Sequence, residues 1–263
     1  NGSDSVILLN NDTEVDHNFI KEMAEAIDVE NKIGMIAAKV IFMGDKSLID
    51  SAGLQITPDG LAKNRGLLED INNYDSISEV FCPAGAAALY TREVLEDVEE
   101  KGQYLDESFE YYFEELDLGW RARLCGWRCA YSPDAVVYHI KSATSGAYSE
   151  FVAYYTNRNN YYNIIKNYPF LNAVKALILA FLRYLFLSFG IILKKGAGDK
   201  INKKIGFTKL ITVTLRGLGD VLKNFKVMYK KRKAIQANRR ASKKEIESWF
   251  DQFGLTYLES IYK

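Results

Sequence analysis

The sequence predicts an α/β domain followed by a helical region. Short apolar runs of strand length alternate with amphipathic stretches over residues 1–147. From Tyr148 onward the pattern is helical, and tyrosine and basic residues dominate its polar positions. The charge divides at the same place. Residues 1–150 carry 12 Lys and Arg against 28 Asp and Glu, and residues 151–263 carry 22 against 6, so a formal net charge of zero conceals two parts of opposite sign. The basic part is suited to an anionic partner.

At 263 residues the chain holds one large domain or two modest ones. Cys82, Cys125 and Cys129 are few and odd in number, which fits buried free thiols in a reducing compartment rather than a disulfide scaffold. No second Cys/His pair with zinc spacing accompanies them. The chain opens almost directly on an apolar strand, with neither an initiator methionine nor a signal peptide, so it is expected to be a fragment or a processed product.

SVILL (residues 5–9) is a strand-length apolar run that ends in Asn10, Asn11 and Asp12. Open α/β sheets bind ligands at the carboxyl ends of their strands, and hard oxygen ligands there suit Mg²⁺ or Mn²⁺ arriving with a phosphate. The competing reading is a turn that caps the helix HNFIKEMAEAI. Residues 32–42 form a second buried strand. LIDSAGLQI and LAKNRGLL flank Thr57-Pro58-Asp59-Gly60, which predicts a hairpin. Residues 79–91 are an apolar run whose small centre, Ala84 to Ala87 around Gly85, leaves room for a ligand or another backbone, or packs tightly in a core. REVLEDVEE is an amphipathic helix.

The acidic stretch FEYYFEELDLGWRARLCGW (residues 109–127) is the centre of the chain. Aromatics crowd its front end, placing Glu114, Glu115 and Asp117 at a loop-to-helix junction. A carboxylate there can take a proton from a substrate hydroxyl, with its aromatic neighbours raising its pKa toward that task. Asp117 and Arg121 are four apart and can pair on a helix, so a surface helix laced with ion pairs is the alternative. Beyond it, WRCAYSPDAVVYHIKSATSG reads as two short strands broken at Ser132-Pro133-Asp134, the second ending at His139. A lone histidine is more often structural than a ligand.

The helix SEFVAYYTNRNNYYNIIKNYP follows, with Phe151, Tyr154, Tyr155, Arg158, Tyr161 and Tyr162 at spacings that can share a face. Residues 176–193 are apolar over about 27 Å of helix, close to a bilayer core. Arg183 falls near their middle, so a helix lying in or dipping into the membrane interface is favoured over a clean span. A single spanning helix over 176–193 and a buried helical hairpin stay open. Residues 206–244 place Tyr and Phe among Lys and Arg, a surface suited to an anionic leaflet. No nucleic-acid-binding motif accompanies it, and nucleic acid is not expected as a partner. KKEIESWFDQFGL is a last amphipathic helix, expected to pack back on the protein.

Taken in order, VILLNNDTEVD, CPAGAAALYTREVLE, YLDESFEYYFEELDLGWRARLCGW and PDAVVYHIKSATSG resemble the second half of a family 2 glycosyltransferase of the rhamnosyltransferase-like subgroup that builds cell-surface polysaccharides. The resemblance implies a partial GT-A fold, a Rossmann-like mixed sheet over residues 1–147, with residues 148–263 as a helical, membrane-associating region. It implies inverting transfer of a sugar, rhamnose or another hexose, from a nucleotide-diphosphate sugar to a hydroxyl of a glycan or lipid-linked glycan, with Mg²⁺ or Mn²⁺ on the diphosphate. By position, Glu115 matches the catalytic base and Glu114 its supporting acid. Asp12 and His139 match the metal site, and Asn10 and Asn11 fall on the donor side. Gly85, Ala86, Asp117 and Arg121 match the acceptor side. The nucleotide-binding βαβ half that relatives carry ahead of the LNND segment is not in this sequence, so the chain is expected not to turn over alone. The cytoplasmic face of the cell membrane is the expected location. A non-catalytic scaffold derived from such an enzyme is the alternative. A membrane phosphotransferase is the third reading, and no phosphate-cradling glycine loop supports it.

Overall fold

The computed structural model describes residues 2–140, 149–192, 203–256 and 259, with side chains of 184–192 set aside. Its central sheet is built on two long parallel strands, β3 (Ile33–Phe42) and β9 (Arg128–His139). β3 is buried over eight consecutive residues, the signature of a strand covered on both faces. Around this pair every other strand runs antiparallel. β8 (Ala87–Thr91) joins the first half of β3, and β4 (Ile49–Ser51) joins its end. β7 (Ser78–Val80) and β2 (Thr13–Val15) occupy the corresponding places beside β9. β1 (Ser5–Leu9) closes the edge against β8. The predicted α/β class therefore holds, with a mixed sheet.

Two local expectations need correction. The break foreseen at Ser132-Pro133-Asp134 is a bulge inside one strand: Ala38 faces Ser132, and Lys39 faces Val136, so the extra residues leave the ladder and Pro133 owes it no N–H. The apolar run 79–91 contributes two strands. β7 and β8 flank a loop at its small-residue centre. LIDSAGLQI contributes to two sheets, with β4 on β3 and β5 (Leu54–Ile56) forming the predicted hairpin with β6 (Ala62–Asn64).

Helices cover both faces. α1 (Phe19–Glu25) buries Phe19 and Met23 with Ala38, Val40 and Val137. On the other face lie α2 (Arg92–Val98), α3 (Glu114–Leu124) and α4 (Glu150–Asn167). Gly119 lets α3 sit directly on the loop after β7, because a Cβ there would stand 2.4 Å from the Cys82 Cβ. Arg123, almost fully buried, fastens the same contact by donating to the Phe81 carbonyl (2.8 Å) and pairing with Glu79 (2.7 Å). All three cysteines are free and buried, as expected.

α5 (Phe170–Ile192), α6 (Phe207–Asn238) and α7 (Lys243–Phe253) complete the chain. α7 starts in a capping box between Ser242 and Glu245 and packs Trp249 against Phe81 and Trp120, back on the protein as its pattern predicts. Among the described residues no helix is long and apolar enough to cross a membrane. Arg183, the charge that interrupts the apolar stretch of α5, forms an ion pair with the fully buried Asp59 of the β5–β6 turn. That face of α5 is therefore spent on the protein. The expected division between 147 and 148, and residue 193 of the apolar stretch, lie outside the described residues.

Candidate active site

The carboxyl end of the β3–β9 pair gathers one cluster of functional groups. Thr13 of β2 faces His139 of β9, so the residue before it, Asp12, arrives beside the imidazole. His139 Nε2 lies 3.1 Å from Asp12 Oδ1, and its Nδ1 lies 2.7 Å from Asp50 Oδ2. Asp50 is a buried residue of β4, brought in by the pairing of β4 with β3. Its hydrogen bond is the main reason the His139 pKa is raised; burial opposes this, and the charges of both carboxylates assist. Asn10 and Asn11 are exposed at the same sheet edge.

Among the described residues no group of three or more His, Cys, Asp and Glu side chains converges as a metal cage. The donor set still suits a divalent ion that arrives on a phosphate. Asp12 offers an oxygen and His139 a nitrogen toward a shared side, while Asp50 holds the opposite ring nitrogen and so sets the tautomer and orientation. Phosphate oxygens and water would supply the rest, as they do for Mg²⁺ with nucleotides.

The second cluster begins where α3 begins. Glu110, Tyr112 and Phe113 adopt positive φ (61°, 64° and 74°), a left-handed conformation that costs non-glycine residues energy. α3 then opens with Glu114 and Glu115 in its first turn. The Glu115 carboxyl lies over Gly85: a Cβ added to that glycine would meet Glu115 Cδ and Oε1 at 3.4 Å. Glu115 keeps some exposed surface, yet protein atoms crowd its carboxyl, and burial followed by the charge of Glu114 pushes its pKa up to about 7. Burial also raises the Glu114 pKa, and Glu114 Oε2 is buried with no hydrogen-bond partner among the described residues.

The two clusters are joined through the backbone. Asn10 N–H donates to the Ala86 carbonyl (3.1 Å), and Gly85, next to Ala86, is the residue beneath Glu115. Gly85 and Ala86 thus lie between the Asp12–His139 end and the acidic end.

Asp117 and Arg121, expected on the acceptor side, are drawn into a buried polar network. Asp117 is fully buried and bonds Arg121 Nε (2.9 Å), Lys166 Nζ (2.8 Å) and Asn167 Nδ2 (2.9 Å). Burial alone would raise its pKa, but Lys166 and Arg121 outweigh burial and hold it below the ordinary carboxylate range. Arg121 spends its other nitrogens on the carbonyls of Val98 (2.6 Å) and Tyr104 (2.5 Å). The pair ties α3 to α4 and to the segment after α2, and Arg121 lines a small cavity with Asp106 and Lys166.

The residues the sequence pattern did not mark are Asp50, Asn159 and Lys166. Nothing in the spacing of Asp50 points to His139; their contact exists only because β4 turns back on β3. α4 did carry a signal: five asparagines in 18 residues, a poor helix former whose amide is useful mainly as a hydrogen-bonding group.

A sequence model described as glycosyl transferase family group 2 matches residues 5–214, from β1 through α4 and α5 into α6. No curated protein matches the chain.

Proposed function

This chain belongs to glycosyl transferase family group 2, and we propose that it moves a sugar, rhamnose or another hexose, from a nucleotide-diphosphate donor to a hydroxyl of a growing cell-surface glycan with inversion. The observation that carries this reading is the Glu114–Glu115 pair: a carboxyl with its pKa near 7, at the mouth of α3, one backbone step from the Asp12–His139 end. A mixed sheet with ligand-type groups at the carboxyl ends of its parallel strands is consistent with a GT-A fold.

In this reading Glu115 takes the proton of the acceptor hydroxyl. The acceptor oxygen attacks the anomeric carbon from the face opposite the diphosphate, the new C–O bond forms, and the bond to the leaving phosphate oxygen breaks with its electron pair. Glu114, next to it in the first turn of α3, raises the basicity of Glu115 through its charge. Asn10 and Asn11 lie on the donor side. Asp12 and His139 would hold Mg²⁺ or Mn²⁺, which when bound supplies positive charge to offset that growing on the leaving diphosphate. The acceptor is lipid-linked and the enzyme works at the cytoplasmic face of the cell membrane, a reading supported by the basic, aromatic surface of α6.

The test is sugar transfer by the intact protein as the cell makes it, offered radiolabelled nucleotide-diphosphate rhamnose and hexoses with membrane glycolipid as acceptor. Transfer that Glu115→Gln abolishes is expected. Equal turnover by wild type and E115Q would refute Glu115 as the base, and none from any donor would leave a binding scaffold as the better account.

A further inference from the structure

The loop that presents Glu114 and Glu115 is bent into a costly shape, and its carbonyls have one principal claimant. Asn159 Nδ2 lies 2.8, 2.7 and 2.9 Å from the carbonyl oxygens of Phe109, Tyr111 and Tyr112. Its neighbour Arg158 donates to the carbonyls of Ser108 (3.0 Å) and Phe109 (2.8 Å) and pairs with Glu110 (2.9 Å). Both side chains are almost completely buried, although α4 is a helix whose polar residues would ordinarily face water. We propose that Asn159 and Arg158 are positioning residues that hold the 110–113 segment, left-handed at Glu110, Tyr112 and Phe113, in place and thereby fix the Glu115 carboxyl over Gly85.

The physical case rests on two opposing costs. Three non-glycine residues at positive φ store strain, and a loop free to relax would abandon that shape. A buried asparagine amide whose acceptors were removed would lose its own hydrogen bonds, so loop and clamp need each other. The loop ends in the helix that carries the acids: Asp117 N–H donates to the Phe113 carbonyl (2.8 Å), so relaxation at Phe113 unwinds the first turn of α3 and moves Glu114 and Glu115. Asp106, at the start of the loop, is held independently by Lys166 and Lys231 (2.5 Å). The clamp therefore acts on the tip of the loop, not on its attachment. The inference rests on the assignment of Glu115 as base, and its structural part is measurable without any substrate.

The test compares Asn159→Ala and Arg158→Lys with Asn160→Ala, an equally buried α4 variant whose amide instead donates to the Asp59 carbonyl (3.0 Å) on the β5–β6 turn. Hydrogen exchange of the 109–117 amides is read on each intact protein, together with kcat and the donor KM. In N159A these amides are expected to exchange about tenfold faster, with kcat about 100-fold lower and donor KM unchanged. N160A, matched for thermal stability, leaves both readouts near wild type, and R158K falls between. Should N159A fail to fold, R158K carries the same comparison. Wild-type exchange in the loop of N159A or R158K, or the same change in N160A, overturns the clamp. Altered exchange in a protein whose wild type transfers no sugar would leave the clamp standing and remove the function.

Discussion

The carboxyl of Glu115 ionises against burial and against the charge of Glu114, which together push its pKa up to about 7 from an ordinary 4.5. A base must be ionised to accept a proton, so kcat/KM for transfer is expected to fall about tenfold per pH unit below about pH 7; a pH–rate profile checks this. The same shift has a stability consequence of definite sign. Between about pH 4.5 and 7 the unfolded chain gives up the proton while the fold retains it, so stability declines as pH rises through this window. Glu115→Gln removes the charge, and E115Q should be more stable than wild type at pH 8 by about 1–2 kcal/mol, with no difference below about pH 4.5, in paired thermal melts. At the opposite end of the site, Asp50 fixes the His139 ring. Asp50→Asn is expected to weaken Mn²⁺ binding about 10–100-fold, measured by calorimetry. Unchanged Mn²⁺ affinity would mean that the Asp12–His139 pair does not hold the ion.

Among the elements, α3 determines where the acids sit, and its seat is set by one glycine. A methyl group at 119 would overlap Cys82 Cβ and its sulfur, both of which are buried and backed by the sheet. Gly119→Ala should therefore cost about 1–3 kcal/mol by overpacking, seen as a lower Tm. Activity should fall further than stability predicts, because a helix pushed off Cys82 carries Glu115 away from Gly85. α4 holds the other side of α3. Its asparagines and Lys166 turn a helix that looks merely polar into a frame for the acidic loop and for Asp117.

Over the whole molecule, α5 and α6 leave an apolar surface uncovered. On α5 it comprises Phe170, Leu171, Val174, Ile178 and Phe181, and on α6 Ile211, Leu215, Leu222, Phe225 and Tyr229. The α6 residues recur at steps of three, four and seven, so they share one stripe, while Val213, Gly217, Val221 and Met228 line a second, buried stripe. Lys223, Lys226, Lys230 and Lys233 accompany the exposed stripe, which suits an anionic lipid surface. The protein should sediment with vesicles containing phosphatidylglycerol, less as salt rises, and not with purely zwitterionic vesicles. Leu215→Asp with Leu222→Asp should release it. Salt-independent or absent sedimentation would refute membrane docking by this face.

By itself the sequence determined the α/β class, the hairpin at residues 57–60, the placement of Glu114 and Glu115 at the start of a helix, and the helical second half. These follow from period, turn chemistry and local spacing, which act between near neighbours and are therefore written into short segments. The tertiary structure alone decided that Asp50 meets His139 across 89 residues of chain, that Arg183 finds Asp59, and that Asp117 is fully buried. It also decided that Asn159 of α4 bonds to a loop about fifty residues earlier. Such contacts depend on which strand turns back on which and which helix face is covered. A charge or amide carries no local mark of the partner that will satisfy it once water is excluded.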